Sequence, residues 1–126
     1  MAINILIVDD SGVMRAMIVK TLQMSGIPLG EIHQAANGKE GLDALNRNWI
    51  DFAIVDIKMP VMDGEEMIDI IKKNPETRDI PILVISTNES IGKLKSRVSG
   101  FVQKPFSPEK IRDIIKEILG LDAENG

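Results

Sequence analysis

Three uninterrupted apolar runs, ILIV at residues 5–8, FAIV at 52–55 and ILVI at 82–85, constrain this chain more than any other feature. They are rich in β-branched residues and do not alternate with polar ones, which is the pattern of strands buried on both faces. At four residues each they fall far short of the ~20 needed to cross a bilayer. Between them, apolar residues return at helical spacing, and strand and helix alternate five times along the chain. The expected strands cover residues 4–9, 31–36, 51–56, 80–86 and 100–104. Parallel strands with right-handed helical crossovers follow, so the expected fold is α/β: a doubly wound, five-stranded parallel sheet with helices on both faces.

The helix boundaries carry their own chemistry. Ser11 is placed to cap the first helix, whose inner face reads Val13, Met14, Met17, Ile18 and Leu22. Asn37 and Gly38 form the turn before the second. Asp63, with Glu66 three residues on, opens the third, and Asn74 before Pro75 ends it. Ser107 and Pro108 open the last, whose stripe of Ile111, Ile114, Ile115, Ile118 and Leu119 runs up to Gly120. The seven Met are expected mainly in the core and Trp49 as a half-buried packing residue, while His33, without a second nitrogen ligand nearby, reads as structural. A chain of 126 residues argues for one domain, taken as 1–121 with a short tail at 122–126.

In open sheets of this kind, ligands sit outside the carboxyl ends of the strands. Those ends carry Asp9 with Asp10, Ala36, Asp56, Ser86 and Lys104. Taken singly, VDD is a strand ended by solvated acids, VDIKMPVMDG a turn before a capped helix, and KPF a strand exit. Taken together they bring three carboxylates to one crevice, where mutual repulsion calls for a cation. With no Cys and a single His in the chain, oxygen ligands remain, and these select a hard divalent ion, Mg²⁺ or Mn²⁺. Such an ion keeps waters that a phosphoryl oxygen can replace, and Lys104 and Ser86 stand where that group needs a cation and a hydroxyl donor. The pocket suits phosphoryl transfer to a carboxylate, which gives an aspartyl phosphate.

At this point the chain resembles a response-regulator receiver domain, similar to the stand-alone chemotaxis receivers, over essentially its whole length. ILIVDD, VDIKMPVMDG and FVQKPF agree with that family in content, order and spacing, and AANGKEGLDAL resembles its second helix. The resemblance implies the strand order 2-1-3-4-5 of a flavodoxin-like sheet. It implies phosphorylation of Asp56, Mg²⁺ organised by Asp9 and Asp10 with the backbone carbonyl of Lys58, and Lys104 as the phosphate partner on a cis peptide bond to Pro105. Ser86 and Thr87 compete for the family's switch hydroxyl. Pro81, five residues earlier, selects Ser86, and Thr87 falls where the family prefers Ala or Gly. Phe101 takes the place of the rotating aromatic. Lys58 and Thr87 are expected to gate the pocket and slow its chemistry. Only 17 residues separate Ser86 from Lys104, about one helical turn fewer than usual in the family. The fourth helix is therefore expected to keep about two turns around Ile91, Leu94 and Val98, weakened by Gly92, in the least stable segment, 88–99.

The implied function is a single-domain response regulator of two-component phosphorelay signalling. A histidine kinase or phosphotransfer protein would be the donor, a downstream protein the target, and the chain a monomer that promotes its own phosphotransfer and slow dephosphorylation. A Mg²⁺-dependent phosphatase on a similar sheet would want Asp-x-Asp, whereas Asp9 and Asp10 are adjacent, and a receiver that works without phosphate would not need all four of Asp9, Asp10, Asp56 and Lys104. A P-loop enzyme is excluded because no Gly-rich loop ends in Gly-Lys-Ser or Gly-Lys-Thr. A formal charge of −4 and 3% aromatic residues provide no footprint for nucleic acid. No signal peptide or membrane span is apparent, so a cytoplasmic location is expected.

Overall fold

The computed structural model describes residues 2–87 and 92–121, with only the backbone of Lys93. All five expected strands are present: β1 (Ile3–Val8), β2 (Leu29–Ala35), β3 (Phe52–Asp56), β4 (Ile82–Ser86) and β5 (Gly100–Gln103). They pair in parallel in the order β2-β1-β3-β4-β5. Four α-helices connect and flank them: α1 (Gly12–Gln23), α2 (Gly38–Arg47), α3 (Gly64–Lys73) and α4 (Pro108–Ile118).

The apolar runs are continuous because successive side chains serve two cores. Ile5, Ile7, Phe52, Ile54, Leu83 and Ile85 pack with Ile18 and Leu22 of α1 and Ile111 and Ile115 of α4. Leu6, Val8, Ala53, Val55 and Val84 pack on the other face with Leu45 of α2 and Met67, Ile68 and Ile71 of α3. A strand residue on either side of the pleat is therefore removed from water. Each helix begins where a short polar side chain accepts a backbone N–H three residues on: Ser11 from Met14, Asn37 from Glu40, Asp63 from Glu66, and Ser107 from Lys110. These caps satisfy donors that a helix start otherwise leaves open, and they fix where each helix leaves the sheet edge.

The expected fourth helix is not an α-helix. The described part of that connection is a 3-10 helix at Gly92–Ser96. Its first residue, Gly92, has φ +48°, outside the α-helical region, and Leu94 is its buried anchor. Val98 is half-buried. Ile91, and with it the stretch 88–91 of the expected labile segment, lies outside the described residues, as does the expected tail at 122–126.

Three packing expectations are also corrected. Val13 is 84% exposed, because α1 turns its Ile18 and Leu22 side toward the sheet and Val13 lies about half a turn around the helix from Leu22. Trp49 is 79% exposed, with its indole N–H donating to Asp51 Oδ1 at 3.0 Å, so it lies over the surface instead of filling the core. Among the described methionines Met67 is fully buried, Met14, Met17, Met59 and Met62 lie at the margins of the two cores, and Met24 is exposed. His33 is half-buried, with its Nε2 2.8 Å from Glu31 Oε1.

Candidate phosphoacceptor and metal site

β1 and β3 are neighbours at the centre of the sheet, so Asp9 just beyond one and Asp56 at the end of the other emerge side by side. Asp9 is buried, and its carboxylate is spoken for: Oδ1 accepts the Ser11 N–H at 2.9 Å and Oδ2 accepts from Lys104 Nζ at 3.1 Å. Asp10, the next residue, is exposed. Its carboxylate makes no hydrogen bond or ion pair among the described residues. Asp9, Asp10 and Asp56 each bring a carboxylate oxygen within 4.8 Å of the others.

Asp56 is only 5% exposed. Burial, followed by the negative charge of Asp9, raises its pKa, and the Lys104 ammonium offsets this in part. Lys104 comes from the far side, immediately after β5, with its own N–H donating to the Ser86 carbonyl at 2.8 Å and its Nζ to Asp56 Oδ2 at 3.2 Å. For this ammonium, burial works toward a lower pKa, but the bonds and charges of Asp9 and Asp56 together outweigh it, and the net shift is upward. The Lys104–Pro105 peptide bond is cis, as expected.

The remaining expected residues surround this triad at different depths. Ser86 ends β4, buried, next to the Asp56 strand, while Thr87 follows it and is exposed. Phe101 lies on β5 opposite Val84, half-buried against the α2/α3 core. Lys58 is exposed and its side chain pairs with nothing among the described residues, so the ammonium between the acids belongs to Lys104. The loop carrying Lys58 turns back toward the end of β3: the Gly64 N–H donates to the Ile57 carbonyl at 2.8 Å, and Val61 sits at φ +68°, 77% exposed.

Two residues with a part in this site escaped sequence reasoning. A Cβ on Gly64 would come within 2.2 Å of the Asp56 carbonyl oxygen, so the closing glycine of VDIKMPVMDG is what lets α3 start against the Asp56 backbone. The motif contains Gly64, but nothing in the spacing says how closely the backbone approaches. Arg15 donates from Nη1 to the Asp9 carbonyl at 2.5 Å and from Nε to Gln34 Oε1 at 3.1 Å. An arginine on a helix carries no such signal in sequence.

The donor set fits a hard cation. Its ligands are carboxylate oxygens, one carboxylate is solvent-facing and uncommitted among the described residues, and the surplus of acid over ammonium leaves room for positive charge. An anion beside Asp56 can then meet Lys104, while a cation held by the acids would offset its charge. That arrangement serves transfer of a charged group to Asp56.

Residues 5–116 match the response regulator receiver domain family. A chemotaxis protein CheY homolog of Campylobacter jejuni is 31% identical over 128 residues, spanning 98% of this chain and 97% of that protein. The structure of CheY4 of Vibrio cholerae superposes with a TM-score of 0.82 at 32% identity, over 94% of this chain and 99% of that one. The receiver domain of the sensor histidine kinase PA1611 of Pseudomonas aeruginosa, solved with magnesium in its active site cleft, shares the fold with a TM-score of 0.82 at 23% identity, over 95% and 99% of the two chains.

Proposed function

Because the chain belongs to the response regulator receiver family, we propose that Asp56 is its phosphoacceptor, with Asp9 and Asp10 holding Mg²⁺ and Lys104 holding the phosphoryl group. As a receiver homologous to stand-alone chemotaxis regulators, it is a signalling protein of two-component systems, in which histidine kinases supply the phosphate. One observation carries the assignment to Asp56: this carboxylate, nearly closed off from bulk water, is bonded by the Lys104 ammonium and stands within the cluster of three acids.

In the proposed reaction a carboxylate oxygen of Asp56 attacks the phosphorus of the donor's phosphohistidine. A P–O bond forms, the P–N bond breaks, and the electron pair stays on the ring nitrogen. Mg²⁺ supplies charge neutralisation for the phosphoryl oxygens in a transfer that depends on positioning and electrostatics. The chain's own part is to leave Asp56 ionised and aimed, with Lys104 already placed beside it. Once the phosphoryl group arrives, the ammonium can pass from the two carboxylates to a phosphoryl oxygen. Ser86, one strand over, is the proposed hydroxyl that follows the phosphoryl group, and Phe101 the side chain that repacks with it. Slow return of Asp56 occurs when water attacks phosphorus and the P–O bond to the carboxylate breaks. Lys58 contributes its backbone carbonyl to the ion, while its side chain and Thr87 narrow the approach. The receiver unit is taken as residues 1–121, supported by the family match over 5–116.

Incubation with acetyl phosphate and Mg²⁺ should label the protein at Asp56, and Asp56→Asn should remove the acid-stable, hydroxylamine-labile label. Beryllofluoride with Mg²⁺ should shift the amide resonances around Ser86 and Phe101. Full labelling of Asp56→Asn, or labelling undiminished by a chelator, overturns the assignment.

A further inference from the structure

We infer that Arg15 is a positioning residue for the metal, holding the peptide between Asp9 and Asp10 so that Asp10 presents its carboxylate to the divalent cation. The inference rests on the reading of Asp9 and Asp10 as metal ligands.

Arg15 stands one turn into α1, with its N–H on the Ser11 carbonyl. That end of a helix favours anions, yet the first turn of α1 holds no acidic residue. A cation there runs against the helix dipole, and a broken local rule of this sort often marks a functional demand. The guanidinium is half-buried and used in two directions: the 2.5 Å bond to the Asp9 carbonyl and the 3.1 Å bond to Gln34 at the end of β2. Gln34 thus anchors the fork that grips the backbone of the acid pair.

Asp9 is held at every polar atom. Its N–H donates to the Ala35 carbonyl at 3.0 Å, its carboxylate accepts from Ser11 and Lys104, and its carbonyl accepts from Arg15. The last of these bonds fixes the plane of the peptide that leads into Asp10. Since the Asp10 carboxylate has no partner of its own among the described residues, its direction is inherited from that peptide. Groups that orient ligands in this indirect way typically cost about 10- to 100-fold in metal affinity when removed.

Charge and positioning make opposite forecasts. If Arg15 acted only as a positive charge beside the acids, neutralising it would tighten cation binding. If it positions Asp10, neutralising it loosens binding. Mg²⁺ affinity measured by calorimetry, or Mn²⁺ affinity by electron paramagnetic resonance, on the full chain decides between them. Arg15→Met should weaken binding about tenfold while retaining a cooperative thermal transition. Gln34→Leu keeps the charge and the Asp9 bond, and should weaken binding in the same direction by less. Unchanged or tighter binding in Arg15→Met overturns the inference, and if that variant does not fold, unchanged binding in Gln34→Leu overturns it instead. Wild type and Asp10→Asn are measured alongside. If wild type does not bind the ion, or Asp10→Asn binds as well as wild type, the metal reading falls and takes this inference with it. If those two behave as ligand chemistry requires while Arg15→Met matches wild type, only the role of Arg15 falls.

Discussion

Lys104 and Asp56 lie 48 positions apart in sequence and at the ends of strands that are not neighbours, yet the ammonium stands 3.2 Å from the carboxylate, reaching across the end of β4. With Asp9 at 3.1 Å, this one cation stands between two buried acids. Removing one partner of such an arrangement leaves charge uncompensated inside the protein. Lys104→Met should therefore lower stability by about 3 kcal/mol in the absence of divalent ions. Because Mg²⁺ would bind the folded state, part of that loss should return when it is added. Denaturant midpoints with and without Mg²⁺ check both halves, and Lys104→Met should also label from acetyl phosphate at least about 100-fold more slowly.

The raised pKa of Asp56 has a definite sign in stability. A carboxyl that holds its proton more tightly when folded makes the folded state lose stability as pH rises from the unfolded value, 3.8, through the folded one. Above that window the cost of keeping Asp56 ionised is fully present. Asp56→Asn should thus melt higher than wild type at neutral pH, and its advantage should shrink as pH falls toward 3.8. Lys104 contributes in the opposite sense: its stabilisation is complete below 10.5 and is lost as pH rises through its higher folded value. Thermal scans across pH test the two windows separately.

Two positions between β3 and the first turn of α3 should respond in opposite directions. Gly64→Ala places a Cβ against the Asp56 carbonyl, so it should cost about 2 kcal/mol and slow labelling by displacing the acceptor. Val61 holds a left-handed φ of +68° that a β-branched residue tolerates poorly. Val61→Gly should gain about 1 kcal/mol. Urea titrations of the two variants give these differences directly.

Lys58 and Thr87 are both exposed, and both belong to the proposed gate. The double variant Lys58→Asn with Thr87→Ala should open the approach for donor and water alike, speeding both labelling by acetyl phosphate and loss of phosphate several-fold. Equal rates in the variant and wild type would remove the gate.

The connection between β4 and β5 should open most readily. Amide exchange at residues 92–99 should be faster than at 111–119, and beryllofluoride should slow it. Equal protection of the two stretches in both states would place the response elsewhere.

The strands and the places of the acids were legible in the sequence because each rests on a local rule, whereas the order of the strands came from the family resemblance. ILIV, FAIV and ILVI announce strands covered on both faces, and Ser11, Asp63 and Ser107 mark helix starts at the edge where the acids sit. The 3-10 geometry of Gly92–Ser96 was not legible, since it depends on Leu94 finding the core while Gly92 departs from helical φ. Trp49 was misjudged because apolar character alone does not say whether a neighbouring acid will hold an indole at the surface. Val13 was grouped with the inner face although, at about 100° per residue, it lies on the opposite side of α1 from Leu22. The tie from Arg15 to the Asp9 carbonyl depends on the separation of α1 from β2, a tertiary distance with no counterpart in the chain's spacing.

The stretch that follows β4 is moored by the Leu94 side chain, by the Ser99 N–H on the Ile82 carbonyl, and by an ion pair from Arg97 to Asp69 on α3. Asp9 and Asp56, by contrast, are bolted to the ends of the adjacent interior strands β1 and β3. The two regions are therefore anchored independently, so exchanges at residues 92–99 can leave the hold on Asp9 and Asp56 undisturbed.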